Sequence, residues 1–246
     1  ITTSTAKVIR KIKEKGVKVV IATGRMLVSA LPYVKKLNLE GPVITYNGAY
    51  VKDVKKNQVI FHQPIDLNLA QEIIQYCHQE NLHINLYQND TLYVKKRNSE
   101  TRSYEELCGV KAREVGPLAQ FADKDPTKLL IIEEDREKHQ YYLKYFQNHY
   151  LNKLEVAESQ SHFIEFMAKK VSKGKALKTL ADNYGIKSEE VMAIGDSWND
   201  LSMISWAGLG VAMGNASEKI KEEANITAPS RKNDGVTDII EKIFDI

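Results

Sequence analysis

The sequence has little cysteine and no long hydrophobic run. Only two cysteines, Cys77 and Cys108, occur among 246 residues, and neither forms a Cys-x-x-Cys pair or a cluster with histidine. A disulfide framework and a thiolate zinc site are therefore not indicated. No apolar stretch approaches the roughly 20 residues that cross a bilayer, and no signal-peptide pattern opens the chain. These absences predict a cytoplasmic protein without a membrane partner.

The chain also has little excess of charge of either sign. The chain has 35 Lys and Arg against 32 Asp and Glu, for a net charge of +3, and no long basic tract suited to a nucleic-acid backbone. We therefore expect no nucleic-acid partner. A hydrophobic fraction of 43% supplies a globular core, and the length allows one large domain or two modest ones. We favour two domains.

The first part of the chain alternates between helix and strand. Val8, Ile9 and Ile12 have helical spacing and precede a stop at Gly16, and residues 17–22 form a β-branched run typical of a buried parallel strand. A helix from Met26 to Leu37 follows, in which Pro32 either causes a kink or lies near the first turn. A strand at residues 42–45 comes next. This β-α-β order predicts a parallel sheet.

A different pattern interrupts this rhythm. From residue 64 the chain alternates short strands with helices in a manner typical of an antiparallel domain, with a polar stretch after residue 94. The α/β rhythm resumes with a helix after Ser172. We therefore predict an α/β fold in which residues 1–63 and 169–246 form one core domain, and residues 64–168 form a second, inserted domain.

The residues that directly follow the predicted parallel strands are the candidates for a site, because ligands bind at the carboxyl ends of such strands. A hydroxyl, an arginine, carboxylates, amides and glycines would meet there. This mixture suits a phosphate beside Mg²⁺. The candidates are residues 23–25, 45–47, 195–200 and 214–215.

Lys173 adds an argument of its own. A lysine in the first turn of a helix is mildly unfavourable because the positive end of the helix dipole lies there, and a bound anion reverses that sign. Taken alone, Lys173 is also compatible with a solvent-facing side chain. Its expected position beside the residues at the strand ends favours a role in the site.

The other candidates each have an ordinary structural alternative. Asp196 and Asp200 lie four residues apart across a strand-to-helix turn, so one can reach the site while the other orients it, but Asp200 also suits a helix N-cap. Asn199 can donate to a phosphate or close an Asx turn. Thr23 can bind phosphate or cap a helix, and Arg25 can bind an anion or lie on the surface.

Together, five segments resemble one family. Residues 20–25 (VIATGR), 44–49 (ITYNGA), 171–177 (VSKGKAL), 195–200 (GDSWND) and 210–216 (GVAMGNA) are similar, in order, to the motifs of the Cof-type phosphatases of the haloacid dehalogenase-like superfamily. The resemblance covers nearly the whole chain. It implies a Rossmann-like three-layer core with a parallel sheet, an inserted α+β cap, and Mg²⁺-dependent hydrolysis of small phosphate esters through an aspartyl-phosphate.

The resemblance also implies roles for individual residues. Thr23 corresponds to the phosphate-binding hydroxyl and Lys173 to the lysine that neutralises the nucleophile and the phosphate, and these two are the catalytic candidates. Asp196 corresponds to the metal ligand and Asp200 to its supporting carboxylate. The candidates for binding phosphate or substrate are Thr23, Gly24, Arg25, Asn47, Lys173 and Asn199.

One family motif has no counterpart in the sequence. The family's Asp-x-Asp-Gly-Thr segment, which carries the nucleophile and the acid/base aspartate, should stand shortly before Ile1. The sole Asp-x-Asp, at Asp123 and Asp125, precedes Pro126 and a predicted strand, which favours a turn. We therefore expect a segment ahead of Ile1 that contributes one more strand and both aspartates.

The sequence leaves two alternatives to this function. A catalytically inactive protein could bind phosphorylated metabolites with the remaining site. A dinucleotide site at residues 208–214 is disfavoured because the glycines have the spacing G-x-G-x-x-x-G and precede a strand.

Sugar phosphates, pyridoxal phosphate and flavin mononucleotide suit the family equally, so the substrate stays open. We expect a monomer, with a homodimer as the alternative.

Overall fold

The structure, a computed structural model, describes residues 1–246 as two compact units. The first consists of Ile1–Gly24, Ala30–Phe61 and Ser172–Ile246. The second consists of Arg25–Ser29 and His62–Val171. The domain boundaries expected from the sequence stay a prediction. No helix combines the length and the hydropathy needed to cross a membrane.

The first unit contains two sheets. Their strands are β1 (Ile21–Ala22), β2 (Pro42–Thr45), β3 (Tyr50–Asp53), β4 (Gln58–His62), β11 (Met192–Gly195), β12 (Leu209–Met213) and β13 (Ile226–Ala228). In one sheet, β1 and β2 are parallel, β3 is antiparallel to β2, and β4 follows β3. In the other, β11, β12 and β13 are all parallel.

Helices connect these strands. The predicted helices before residue 17 and after Ser172 are present, and Pro32 lies inside its helix. The helices are α1 (Thr3–Glu14), α2 (Leu27–Lys36), α7 (Lys173–Tyr184), α8 (Leu201–Trp206), α9 (Glu218–Glu223) and α10 (Gly235–Phe244).

Strand β12 separates two helical layers. Successive side chains of a strand point to opposite faces, and Val211 and Met213 pack in one cluster with residues of α1 and α10. Ala212, between them, packs with Ile204 of α8 and Ile220 of α9. The three-layer Rossmann-like arrangement therefore follows from the alternation of apolar side chains along β12.

Strand β1 is shorter than the sequence predicted. Residues 17–20 have the expected apolar pattern but belong to no strand, and only Ile21 and Ala22 pair with β2. The register gives the reason: Ile21 pairs with Val43 and β2 begins at Pro42, so residues 17–19 extend past the start of β2. Val17, Val19 and Val20 instead line a cavity of about 510 Å³.

The second unit is built on a six-stranded sheet in the order β7-β6-β5-β8-β10-β9, antiparallel except for the pair of β6 and β7. Ile84, Leu129, Ile131, Ile164 and Phe166 pack from one face of it into the unit's main core. The strands are β5 (His83–Gln88), β6 (Thr91–Val94), β7 (Ala112–Glu114), β8 (Lys128–Ile132), β9 (Leu154–Gln160) and β10 (Phe163–Ala168).

The polar stretch after residue 94 contains a helix that the sequence analysis did not predict. Helix α4 begins after Asn98, which accepts from Thr101 N–H, and ends at Gly109 in the left-handed conformation. Its sequence is polar, and its buried residues are Thr101, Tyr104 and Glu105. It therefore lacks the apolar stripe that usually indicates a helix. The helices of this unit are α3 (Leu67–Gln79), α4 (Ser99–Cys108), α5 (Leu118–Phe121) and α6 (Arg136–His149).

Asp234 ties α1 to α10 within the first unit. Thr2 and Thr5 Oγ1 donate to its Oδ1 at 2.8 and 3.1 Å, and Ser4 Oγ donates to its Oδ2. The hydroxyls of Ser4 and Thr2 favour the charged carboxylate and lower the pKa of Asp234 below its ordinary value.

This lowered pKa predicts a pH-dependent contribution to stability. The contribution is present above the ordinary carboxyl pKa of about 3.9 and is lost as the pH falls through the lowered pKa of the folded state. Asp234→Asn should therefore reduce the free energy of unfolding at pH 7, and the difference from wild type should shrink toward pH 3. Urea unfolding across that range measures this, with Asp245→Asn as the charge-matched control. An equal deficit at both pH values would contradict it.

Candidate active site

The loops that follow β1 and β2 are bonded to each other. Thr23 N–H donates to Ile44 O at 2.9 Å, and Asn47 N–H donates to Thr23 O at 3.0 Å. Gly24 allows this approach, because a Cβ at residue 24 would lie 2.7 Å from Asn47 Oδ1. The predicted phosphate-binding residues Thr23, Gly24 and Asn47 therefore lie together at these strand ends.

Asn47 connects this pair of loops to the loop after β11. Its backbone has a φ of 55°, a left-handed conformation that asparagine tolerates better than most residues. Its Oδ1 accepts from Asn199 Nδ2 at 2.8 Å. Two amides that the sequence assigned to phosphate binding are thus in direct contact.

Lys173 is buried and paired. Its side chain is 6% exposed, and its Nζ lies 2.6 Å from Asp200 Oδ1. The solvent-facing alternative is therefore wrong for this lysine. Asp200 provides a negative charge at the first turn of α7, where an isolated lysine would be unfavourable.

Asp200 uses its second oxygen to hold the loop after β11. Asp196 N–H and Ser197 N–H both donate to Asp200 Oδ2 at 3.0 Å, and its side chain makes no capping bond to α8. Gly195 makes room for it, because a Cβ there would lie 2.4 Å from Asp200 Cβ. This geometry favours the supporting role over that of a simple helix cap.

Two glycines fix the start of α7, and with it Lys173. A Cβ at Gly48 would lie 2.2 Å from Ser172 O, and one at Gly174 would lie 2.1 Å from Ser202 O. Gly174 N–H also donates to Ser202 Oγ at 3.0 Å. The helix therefore begins in close backbone contact with the turn after β2 and with α8.

Asp196 is the carboxylate that can bind a metal. Its side chain is 30% exposed, whereas that of Asp200 is 8% exposed and forms an ion pair with Lys173. No three His, Cys, Asp or Glu side chains cluster as metal ligands. Mg²⁺ keeps several waters and needs only one or two carboxylates together with substrate phosphate. The donor set therefore fits Mg²⁺, with Asp196 as the candidate ligand.

Arg25 belongs to a different unit from the other candidates. Its Nη1 donates to Ser29 Oγ at 3.2 Å, and Ser29 Oγ donates to Cys108 O at 2.6 Å. Leu27 N–H and Val28 N–H donate to the Asp90 carboxylate at 2.9 and 2.8 Å. The segment Arg25–Ser29 is thus held by the second unit, and binding of substrate by Arg25 stays a prediction.

Sequence reasoning missed Arg231. This residue follows β13, a strand that was not predicted, and its Nη1 lies 3.7 Å from Asp196 Oδ2. The signal was the pair of apolar residues Ile226 and Ala228, which alternate over a segment too short to stand out.

The first unit is thus an α/β unit in which a lysine, carboxylates and amides lie at or beside the ends of parallel strands, the arrangement of a Rossmann-like enzyme. The sequence profile of the haloacid dehalogenase-like hydrolases matches residues 1–240. The chain belongs to this family of hydrolases.

Individual relatives agree with this assignment. A crystal structure of a Thermotoga maritima protein is 35% identical, with a TM-score of 0.91 over 98% of this chain and 90% of that one. The pyridoxal phosphate phosphatase YbhA of Escherichia coli is 28% identical over 96% of this chain and 90% of its own length. The 5-amino-6-(5-phospho-D-ribitylamino)uracil phosphatase YitU of Bacillus subtilis is 27% identical over 100% of this chain and 92% of its own.

Three predictions made from the sequence are therefore confirmed. They are the haloacid dehalogenase-like family, the α/β fold class and the assignment as a phosphoric monoester hydrolase. The catalytically inactive alternative is not favoured.

Proposed function

We propose that this protein hydrolyses small phosphorylated metabolites in an Mg²⁺-dependent reaction. The observation that carries the proposal is the buried pair of Lys173 and Asp200 at the strand ends, beside the Asp196 carboxylate and the contact of Asn47 with Asn199. A fixed cation, a metal-binding carboxylate and amide donors are what phosphoryl transfer needs, because its catalysis is mostly positioning and charge stabilisation.

Each residue has a distinct task in this proposal. Thr23 Oγ1, Gly24 N–H and the Asn199 amide donate to phosphate oxygens, and Lys173 Nζ neutralises charge that gathers on the phosphoryl group. Asp200 holds Lys173 and the loop that carries Asp196. Mg²⁺ bound at Asp196 would neutralise phosphate charge and orient the phosphoryl group.

We place the nucleophile on an aspartate in a segment ahead of Ile1. Strands β1 and β11 are the end strands of their sheets, and residues 17–20 and 191–194 line the same 510 Å³ cavity. The free edge of a strand presents unpaired N–H and C=O groups, so one further parallel strand between them would satisfy both edges. Its carboxyl end would lie between Thr23 and Asp196, which follow β1 and β11.

The proposed reaction has two steps. The aspartate oxygen forms a bond to phosphorus as the P–O bond of the ester breaks, and the second aspartate of the family's motif gives a proton to the leaving alcohol. Water then attacks phosphorus, loses its proton to the same group, and releases inorganic phosphate and the free aspartate.

The placement of the nucleophile has a direct test in the mass of the intact gene product. We expect a mass about 2 kDa above 27.9 kDa, the size of one strand and its loop, and N-terminal residues that include Asp-x-Asp. A gene product that begins at Ile1 would contradict this part of the proposal, and phosphate binding without turnover would then be expected.

The substrate class is a small phosphate ester, and its identity needs a panel. Sugar phosphates, pyridoxal phosphate, flavin mononucleotide and 5-amino-6-(5-phospho-D-ribitylamino)uracil are the esters to compare, because the two named relatives act on the second and the fourth. The cytoplasmic location and the monomeric state also stay predictions.

The intact gene product should hydrolyse at least one of these esters with Mg²⁺ and lose that activity with EDTA. Asp196→Asn should lower kcat by roughly 10²-fold or more, because it weakens the carboxylate that binds the metal. Release of inorganic phosphate measures both effects, and Asp182→Asn is a control on the exposed face of α7. Binding of the esters without Mg²⁺-dependent turnover would instead support the inactive alternative.

A further inference from the structure

The Asp196 carboxylate is held by residues from the next two strand ends. Asn215, which follows β12, donates from Nδ2 to Asp196 Oδ2 at 2.7 Å. Arg231, which follows β13, places Nη1 3.7 Å from the same oxygen. Ser197 Oγ donates to the other oxygen, Oδ1, at 3.2 Å. No role for Asn215 or Arg231 follows from the motif comparison above.

The amide of Asn215 has one orientation that satisfies both of its partners. The backbone N–H of Arg231 donates to Asn215 Oδ1 at 3.1 Å, so the NH₂ group must face Asp196. The two loops can approach because residue 214 is glycine, and a Cβ there would lie 2.8 Å from Ser230 N. The backbone after β13 therefore sets the direction of the Asn215 donor.

The guanidinium of Arg231 has a different relation to the site. Its side chain is 72% exposed, so solvent screens its attraction to Asp196, and its positive charge opposes a cation bound by the same carboxylate. The contribution of Arg231 to orientation comes from its backbone N–H, which every substitution except proline retains.

We propose that Asn215 is a positioning residue that holds Asp196 in the orientation needed to bind Mg²⁺, with the Arg231 backbone as its anchor. This inference rests on the proposed function. A metal-binding carboxylate whose second oxygen accepts a fixed hydrogen bond is oriented before the metal arrives, and loss of such a partner typically weakens metal binding 10–100-fold.

The test measures metal binding directly. The dissociation constant of Mn²⁺ for the intact gene product is determined by electron paramagnetic resonance, and activity is titrated with Mg²⁺. Asn215→Ala should weaken Mn²⁺ binding about 10-fold or more and raise the Mg²⁺ concentration needed for half-maximal activity. Arg231→Ala, which keeps the backbone donor, should bind Mn²⁺ within about twofold of wild type or more tightly.

The outcomes separate the inference from the proposed function. A wild type that binds Mn²⁺ and hydrolyses esters, beside an Asn215→Ala variant with the same Mn²⁺ affinity, would overturn the inference alone. Equal weakening in Arg231→Ala would overturn the assigned backbone anchor. A wild type that neither binds Mn²⁺ nor hydrolyses any ester would overturn the proposed function. Melting temperatures without metal report whether either variant is unfolded.

Discussion

Lys173→Met should lower kcat by roughly 10²–10³-fold, the effect expected when a fixed electrostatic group is removed from a transition state. The side chain of Lys173 is 6% exposed and its Nζ lies 2.6 Å from Asp200 Oδ1, so neither water nor a neighbouring lysine can replace its charge. The measurement is kcat for the best ester of the panel at saturating Mg²⁺.

The same substitution should also destabilise the fold. Asp200 would become a buried carboxylate without its cation, and removal of one partner from a buried ion pair costs about 3–5 kcal/mol. The two backbone N–H groups that donate hydrogen bonds to Asp200 remain. We therefore expect a loss of unfolding free energy at the lower end of that range, measured by urea unfolding.

Two variants separate catalysis from stability. Lys178→Met, on the same helix, removes an exposed pair with Asp182 whose side chains are 56% and 59% exposed, and it should change neither kcat nor stability much. The double variant Lys173→Met with Asp200→Asn should recover part of the stability without recovering activity. Full activity in Lys173→Met would remove this lysine from the mechanism.

The sequence predicted those parts of the fold that depend on periodicity and on local stop signals. Helix α1 has a one-sided apolar pattern and strand β2 a continuous one, and the positions of both were predicted. The pairing of residues 17–20 could not be predicted in the same way, because a strand also needs a neighbour, and neighbours are a property of the tertiary structure.

The candidate site was likewise predictable in part. Strand ends were predictable because parallel strands bring them to one edge, and Asn47 does contact Asn199 there. The hydrogen bonds of both Asp200 oxygens depend on the close contact between Asp200 and Gly195. A tertiary contact of this kind cannot be predicted from a local sequence pattern. Arg231 was missed for the same reason, since its role depends on a short strand and on a loop contact.

Gly48→Ala should be the most destabilising of the glycine substitutions at the start of α7. Its φ of 102° is unfavourable for any residue with a Cβ, and that Cβ would lie 2.2 Å from Ser172 O, a backbone atom. Strain and overpacking together predict a loss of about 2–5 kcal/mol. Ser172 O also accepts from Ala176 N–H at 3.1 Å, so its displacement would disturb the first turn of α7 and move Lys173. We expect kcat to fall even in the folded fraction.

The opposite end of α7 provides the matched control. Gly185 also has a positive φ, of 65°, but a Cβ there would meet nothing within 4 Å. Gly185→Ala therefore isolates the conformational cost, about 1–2 kcal/mol, and should leave kcat unchanged because Lys173 lies at the other end of the helix. Urea unfolding and kcat of the two variants, measured side by side, separate strain from collision. If both variants lose the same stability and keep full activity, close contact at Gly48 does not position Lys173.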